Sequence, residues 1–312
     1  MNTSMTSDMT ANITPWEKQF LQRNQLPESY LDSANQWFSP LVEEIEQLVT
    51  SAQSTLIIGI NGTQGSGKST LADYLCTVLE GRISEERKLR TVSLSLDDFY
   101  MTRAERQTLA SEVHPLFKTR GVPGTHDIDL TLKTIDSLVD GSTETLVPRF
   151  DKSTDDRHPE AECDLVSGAV DVIIFEGWCV GCKAQPEDSL LEPVNSLERE
   201  QDPQGIWRSY FNRALASDYQ TLFNRLDKLI MLRAPSFNTV FNWRLEQEQK
   251  LIARLGETGG DRSGIMSKEQ IAEFIAHYQR ITEYSLEEMP SRTDHLFQLD
   301  DQRQIVEYRS QK

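Results

Sequence analysis

A chain of 312 residues with 38% hydrophobic content has enough material for one large α/β domain or two modest ones. Its 49 acidic against 32 basic residues leave a formal net charge of -17, a field that repels polyanions and sets nucleic acid and anionic membranes aside as partners. There is no run of about 18 apolar residues, and no basic cluster leads an apolar stretch at the N-terminus, so a cytoplasmic chain is expected.

Residues 1–12 are rich in Ser, Thr and Met and are expected to fray. From Pro15 to Val49, Phe20, Leu21, Tyr30, Leu31, Trp37, Leu41, Ile45 and Leu48 recur at helical spacing. That spacing predicts two or three helices, an N-terminal extension over 1–50 ahead of a main domain over 51–312. STLIIGI (54–60) is a short apolar run read as a buried strand, and STLADYLCTVL (69–79) as the helix after it. Further strands are expected at 91–97, 169–177, 227–234 and 294–300, and further helices at 130–139, 205–226, 238–255 and 267–286. Strands spaced by helices argue for one α/β fold with a doubly wound, mostly parallel, five-stranded sheet. The segments 114–129, 147–162 and 183–203 are polar, and GETGGDRSG (256–264) is a flexible break between helices. Long loops at the carboxyl ends of parallel strands are where functional residues concentrate.

Between the first strand and its helix, Gly62-Thr63-Gln64-Gly65-Ser66-Gly67-Lys68-Ser69 satisfies G-x-x-x-x-G-K-[ST], with Thr70 next. Glycines let consecutive amides curl around a phosphate where a Cβ would obstruct, and the helix start aims its free N–H groups at the same point. Lys68 is expected to reach the β- and γ-phosphates, and the Ser69 hydroxyl to help hold Mg²⁺. The guanine-reading pattern N/T-K-x-D is absent, so ATP is the expected nucleotide.

LSLDDFY (94–100) sets two carboxylates after the second strand. Adjacent acids at a sheet edge are costly to bury without a cation or a task. Asp97 is placed to orient or deprotonate a hydroxyl that attacks the γ-phosphate, whereas a helix cap is reason enough for Asp98. In VIIFEG (172–177) an apolar strand ends in Glu176, a candidate for Mg²⁺ or for the acceptor hydroxyl. Cys179 and Cys182 form a C-x-x-C without a second pair or a nearby His, and are read as partly buried thiols at a strand end.

The P-loop, the Asp-x-Phe-Tyr element and the Phe-Glu-Gly strand end resemble the superfamily of uridine kinase, pantothenate kinase and phosphoribulokinase. Within it, FKTRGVPGTHD (117–127), PRFDKSTDDR (148–157), FEGW (175–178), LRAPSFNTVFNWRLEQE (232–248) and MSKEQIAEFIAHYQRIT (266–282) resemble the D-glycerate 3-kinase branch. The similarity covers about residues 40–300. It implies a three-layer P-loop kinase fold with a helical lid, and transfer from Mg-ATP to the hydroxyl of a small hydroxy acid, D-glycerate giving 3-phospho-D-glycerate. Pantothenate, a nucleoside, or ATP hydrolysis that drives a protein partner remain alternatives. By the resemblance the catalytic carboxylate is Asp97 and the strand-end acid Glu176. The uridine kinase branch often has Ser where Asp98 stands, which weakens the nucleoside reading. Tyr278 and Thr282 are assigned no chemistry.

An anionic acceptor needs cations. The first loop carries His114, Lys118, Arg120 and His126, and the second Arg149, Lys152, Arg157 and His158. Arg120, Arg149, Lys152 and His126 are the expected acceptor ligands, with Asp127 and Asp151 orienting them. The lid is expected around 238–266, with Arg244 foremost and Lys250 behind it in neutralising the transferring phosphoryl group. Arg233, past the fourth strand, is expected to touch nucleotide.

Overall fold

The computed structural model describes residues 13–52, 54–81, 83–84, 87–258 and 266–311. Residues 1–12 of the N-terminal extension, and residues 259–265 of the lid and its Gly-rich break, lie outside the described residues.

Six strands make the central sheet: β1 (Leu56–Gly62), β2 (Thr91–Ser95), β3 (Val172–Gly177), β4 (Lys228–Arg233), β5 (His295–Leu299) and β6 (Ile305–Ser310). Their order is β6-β5-β4-β1-β3-β2, parallel throughout except for β6, which pairs antiparallel with β5. All seven residues of β1 and all six of β3 are buried, as expected of central parallel strands covered on both faces. Five strands fall where the apolar runs predict them. The sixth was not expected, because IVEYRS at a sheet edge lacks an apolar run.

The helices are α1 (Pro15–Asn24), α2 (Ser29–Ser51), α3 (Lys68–Gly81), α4 (Arg103–Glu112), α5 (Ile128–Asp140), α6 (Ser196–Gln201), α7 (Ile206–Ala216), α8 (Asp218–Phe223), α9 (Phe237–Thr258) and α10 (Lys268–Glu288). The single helix expected over 205–226 is two, α7 and α8, broken at Ser217 (φ -112°, ψ -93°). The unpredicted α4 buries only Arg106, so no apolar stripe announces it; a capping box between Thr102 and Glu105 starts it instead. The second strand ends at Ser95, and Asp97 and Asp98 stand in a 3-10 turn over Leu96–Phe99.

Phe20, Leu31, Phe38, Leu41 and Ile45 of α1 and α2 belong to the same apolar core as the sheet, so the N-terminal helices are packed as part of the main body. Because β1 lies between β3 and β4, the carboxyl ends of β1, β2 and β3 open into one crevice, where α/β sheets place their ligands.

Candidate active site

The turn between β1 and α3 has the backbone of an anion cradle. Gly65 (φ +78°) and Gly67 (φ +91°) both occupy the left-handed region that favours glycine. A Cβ on Gly65 would come within 2.9 Å of Trp243 Cβ, whereas around Gly67 there is open space. A P-loop phosphate would occupy that space, facing the start of α3. Thr63 Oγ1, Gln64 Oε1 and Ser66 Oγ are buried here without hydrogen-bond partners. Buried polar atoms are seldom left so unless a ligand completes them.

Across the loop, Ser69 Oγ donates to Glu176 Oε1 at 2.8 Å. The other oxygen, Oε2, is buried with no hydrogen bond, and its nearest cation is Lys68 Nζ at 3.8 Å. The three functional groups that the motif and the β3 end supply are therefore in contact. No cluster of three or more His, Cys, Asp or Glu side chains suited to a metal exists among the described residues. A Mg²⁺ ion here would take Ser69 and Glu176 from the chain and its remaining oxygens from phosphates and water, as this cation commonly does.

Asp97 projects from the end of β2. Lys152 Nζ lies 2.7 Å from its Oδ2, and the Tyr100 hydroxyl donates to Oδ1 at 2.9 Å. Burial pushes its pKa up, but Lys152 and Lys68 outweigh burial and hold the carboxyl well below the usual range. It is ionised at neutral pH. Asp98 faces elsewhere: it accepts from Arg149 Nη1 at 2.7 Å and from the Phe150 amide at 3.2 Å. Rather than capping a helix, it ties the 144–167 loop to the end of β2. Burial raises its pKa, and Arg149 opposes that rise.

Two cavities meet at the P-loop. One, of about 610 Å³, is lined by Gly65–Leu71 and extends to the α1–α2 elbow and the β5–β6 turn. The other, of about 750 Å³, contains Asp97, Lys152, Arg120 and Arg244. Gln247 of α9 lines both, so the N-terminal half of the expected lid forms a shared wall.

In the second cavity each carboxylate has a cation. Lys152 pairs with Asp97, Arg120 with Asp155, and Arg244 with Glu248 at 2.8 Å. Two further cations, Arg103 and Lys118, line the same cavity and have no ion pair among the described residues. Arg103 was not anticipated, since α4 itself was not. Tyr278, Trp178 and Phe274 also line the cavity. Tyr278 donates to Arg120 O at 3.2 Å and Trp178 Nε1 to Gly121 O at 3.0 Å, so these aromatics hold the loop that carries Lys118 and Arg120.

Three expected ligands lie elsewhere. Arg149 is engaged by Asp98 and Asp164 and is not in the cavity lining. His126 is buried, stacks on Tyr100 at 4.4 Å between centroids, and contacts the Tyr219 hydroxyl through Nδ1 at 2.5 Å. Burial drives its pKa down to about 3, so it is a neutral ring behind the cavity wall. Arg233 donates to Leu286 O at 3.0 Å and Gln298 Oε1 at 3.1 Å, bracing α10 against β5, and lines neither cavity. Asp127 caps α5 and pairs with Arg157 at 2.9 Å, while Asp151 accepts from Ser153 and Thr154 in its own turn. Lys250 lines the nucleotide-side cavity and pairs with Glu246 at 2.6 Å. Cys179 and Cys182 are fully buried free thiols whose pKa values burial raises, Cys182 to about 11.

Residues 57–184 match the Phosphoribulokinase / Uridine kinase family. The chain is 39% identical over 233 residues to a Schizosaccharomyces pombe protein named uncharacterized kinase mug58, covering 71% of this chain and 78% of that one. It is 30% identical over 236 residues to the chloroplastic D-glycerate 3-kinase of Arabidopsis thaliana, covering 72% of this chain but 46% of that one. Among solved structures, D-glycerate 3-kinase from Cryptococcus neoformans superposes with a TM-score of 0.68 at 27% identity, over 86% of this chain and 96% of that one. No helix among the described residues is long and apolar enough to cross a membrane.

Proposed function

The chain belongs to the phosphoribulokinase / uridine kinase family of P-loop kinases, and we propose that within it this protein transfers the γ-phosphoryl group of ATP to a hydroxyl of D-glycerate, giving 3-phospho-D-glycerate and ADP in the cytoplasm. One observation carries the reading. The P-loop separates two cavities, and the one opposite the glycines holds an ionised Asp97 together with two cations that have no ion-pair partner among the described residues, Arg103 and Lys118. A small acid bearing a hydroxyl matches that set: its carboxylate is met by Arg103 and Lys118, and its hydroxyl is directed at Asp97.

Each residue then has a definite task. Asp97 accepts the hydrogen bond of the acceptor hydroxyl and so points the oxygen lone pair at the γ-phosphorus. As the new O–P bond forms and the β–γ bridging O–P bond breaks, the hydroxyl proton passes to Asp97. A carboxylate held this acidic is a weak base, so its contribution is mainly orientation, which suits a loose phosphoryl-transfer transition state. Lys68 and Arg244 neutralise charge on the transferring group, Arg244 by exchanging Glu248 for it. Lys152 keeps Asp97 ionised, and Arg120 shapes the loop wall through Asp155. Ser69 and Glu176 would hold Mg²⁺, whose chemistry is to screen the β- and γ-phosphate oxygens.

The test is ADP formation from Mg-ATP with D-glycerate, L-glycerate, pantothenate or uridine, against a blank without acceptor. The expected result is a rise with D-glycerate alone and 3-phosphoglycerate as product. Equal ADP release in every tube would overturn the reading in favour of hydrolysis, and a rise with pantothenate or uridine would reassign the acceptor.

A further inference from the structure

Arg106 belongs to no motif and lines neither cavity, yet it is only 1% exposed and is the single buried residue of α4. We infer that Arg106 is a positioning residue of the proposed acceptor cavity: without touching the acceptor, it fixes the three segments that carry Arg103, Lys118, Arg120 and Lys152. This deepens the reading of that cavity as the acceptor site and rests on it.

The guanidinium reaches a main-chain carbonyl on each segment. Nε donates to Met101 O at 3.2 Å, at the root of α4 and just ahead of Arg103. Nη1 donates to Lys118 O at 2.8 Å, in the loop that carries both Lys118 and Arg120. Nη2 donates to Asp155 O at 2.7 Å and lies 2.9 Å from Asp155 Oδ2. Asp155 stands in the turn of a short antiparallel hairpin, Phe150–Asp151 against Asp156–Arg157, and Lys152 is in the same turn. The other carboxylate oxygen of Asp155 accepts from Arg120 Nη1, so one side chain joins Arg106 to a cation of the cavity wall. From that turn Lys152 reaches Asp97 at 2.7 Å, which connects the hub to the carboxylate that faces the reacting hydroxyl.

Stability alone is a poor reason for this arrangement. A buried ion pair gains little over apolar side chains of similar volume, because both charges must leave water. A leucine would fill the same space, but it could not hold carbonyls from three separate segments. The planar fork of an arginine, with its five donors, can. The backbone agrees. Asp155 is in the left-handed region (φ +57°), uncommon for a residue with a side chain, and in that conformation both its carbonyl and its carboxylate meet Arg106.

The experiment uses the full-length protein and two variants, Arg106→Lys and Arg106→Gln, each alone and combined with Lys118→Ala. The lysine keeps the charge and loses the fork; the glutamine loses both and leaves Asp155 to Arg120. Steady-state constants are measured for ATP and for whichever acceptor raises ADP release by wild type, with Tm as the check on folding. The expected result is an acceptor KM at least about tenfold higher in both single variants, with the ATP KM within about twofold of wild type. Adding Lys118→Ala should then raise the acceptor KM by no more than about threefold, against about tenfold in wild type, because Lys118 is already misplaced. A full cost of Lys118→Ala in both backgrounds would overturn the inference, since a residue that serves only stability leaves Lys118 where it was. An unchanged acceptor KM in the folded variants would overturn it as well, and so would failure of both variants to fold. Failure of the acceptor reading itself shows in the wild type, as ADP release indifferent to every acceptor, and the inference would fall with it; failure of the inference alone shows only in the variants.

Discussion

The P-loop is a turn of eight consecutive residues whose backbone forms the cradle, whereas the cavity proposed for the acceptor is assembled from side chains brought together over long stretches of chain. Asp97 and Lys152 are 55 positions apart, and Arg120 and Asp155 are 35 apart. The P-loop end has polar atoms without partners among the described residues, and open space; the proposed acceptor end is crowded with carboxylates already matched to cations. A cradle of amides can be made locally because phosphate is the same in every substrate of the class. Recognition of one particular acid requires groups in a particular arrangement in three dimensions, and only tertiary contacts between loops provide that. The two ends should therefore fail differently when residues are removed.

The largest effect should come from the group that faces the reacting hydroxyl. Asp97→Asn keeps size and hydrogen-bond reach but removes the charge that Lys152 and Lys68 stabilise. Transfer is expected to fall on the order of 10³-fold while ATP binding stays near wild type, measured by steady-state kcat and nucleotide titration. Turnover near the wild-type rate would remove Asp97 from the mechanism. Lys68→Ala should come next, with kcat/KM for ATP lower by about 100-fold. Because Lys68 also helps hold Asp97 ionised, this variant tests whether the two ends are coupled: a change in the acceptor KM as large as that for ATP would show that they do not fail separately.

Arg103→Ala and Lys118→Ala sharpen the comparison from the other side. Each is expected to raise the acceptor KM by about tenfold, the loss of one charge-assisted hydrogen bond, with the ATP KM unchanged. Glycerol, which lacks the carboxylate, should be equally poor with wild type and variants. A rise in the ATP KM instead would place these cations on the nucleotide side.

What could be read in advance follows the same division. The contact of Lys68 and Ser69 with Glu176 was legible because a short motif and a strand end suffice to place them, and the position of Asp97 because it follows a strand. Five of the six strands announced themselves as apolar runs, while β6, a polar edge strand, did not. Arg103, a cavity-lining cation, was not foreseen because α4 buries a single arginine and shows no apolar stripe. Arg149 and Arg233 were recognisable as cations near strand ends, but what occupies them is decided by Asp98, Asp164, Gln298 and a helix-end carbonyl, all distant in sequence or set by folding. Residue type near a crevice shows what a side chain can bind. Its partners in the fold show whether it is available.

His126 gives the smallest expected effect and the clearest case of that rule. As an acceptor ligand it would be charged and open to the cavity, yet it is buried against Tyr100 and Tyr219 with its pKa lowered to about 3. An imidazole that titrates near 6.5 in the unfolded chain and much lower in the folded one binds its proton more readily when unfolded. Its contribution to stability is therefore complete above about pH 6.5 and is lost as the pH falls toward the folded value. Between pH 7 and pH 5.5 that loss is on the order of 1 kcal/mol, and it is nearly independent of how far below 5.5 the folded value lies. His277 and His295 are also shifted down by burial, so the wild-type protein should lose more than this single increment on acidification. The His126→Phe variant, which keeps a ring against Tyr100, isolates the one residue: urea midpoints at the two pH values should give a pH dependence shallower than wild type by about 1 kcal/mol. Identical slopes would mean that His126 titrates normally in the folded protein, which would return it to the acceptor side as a group able to carry charge.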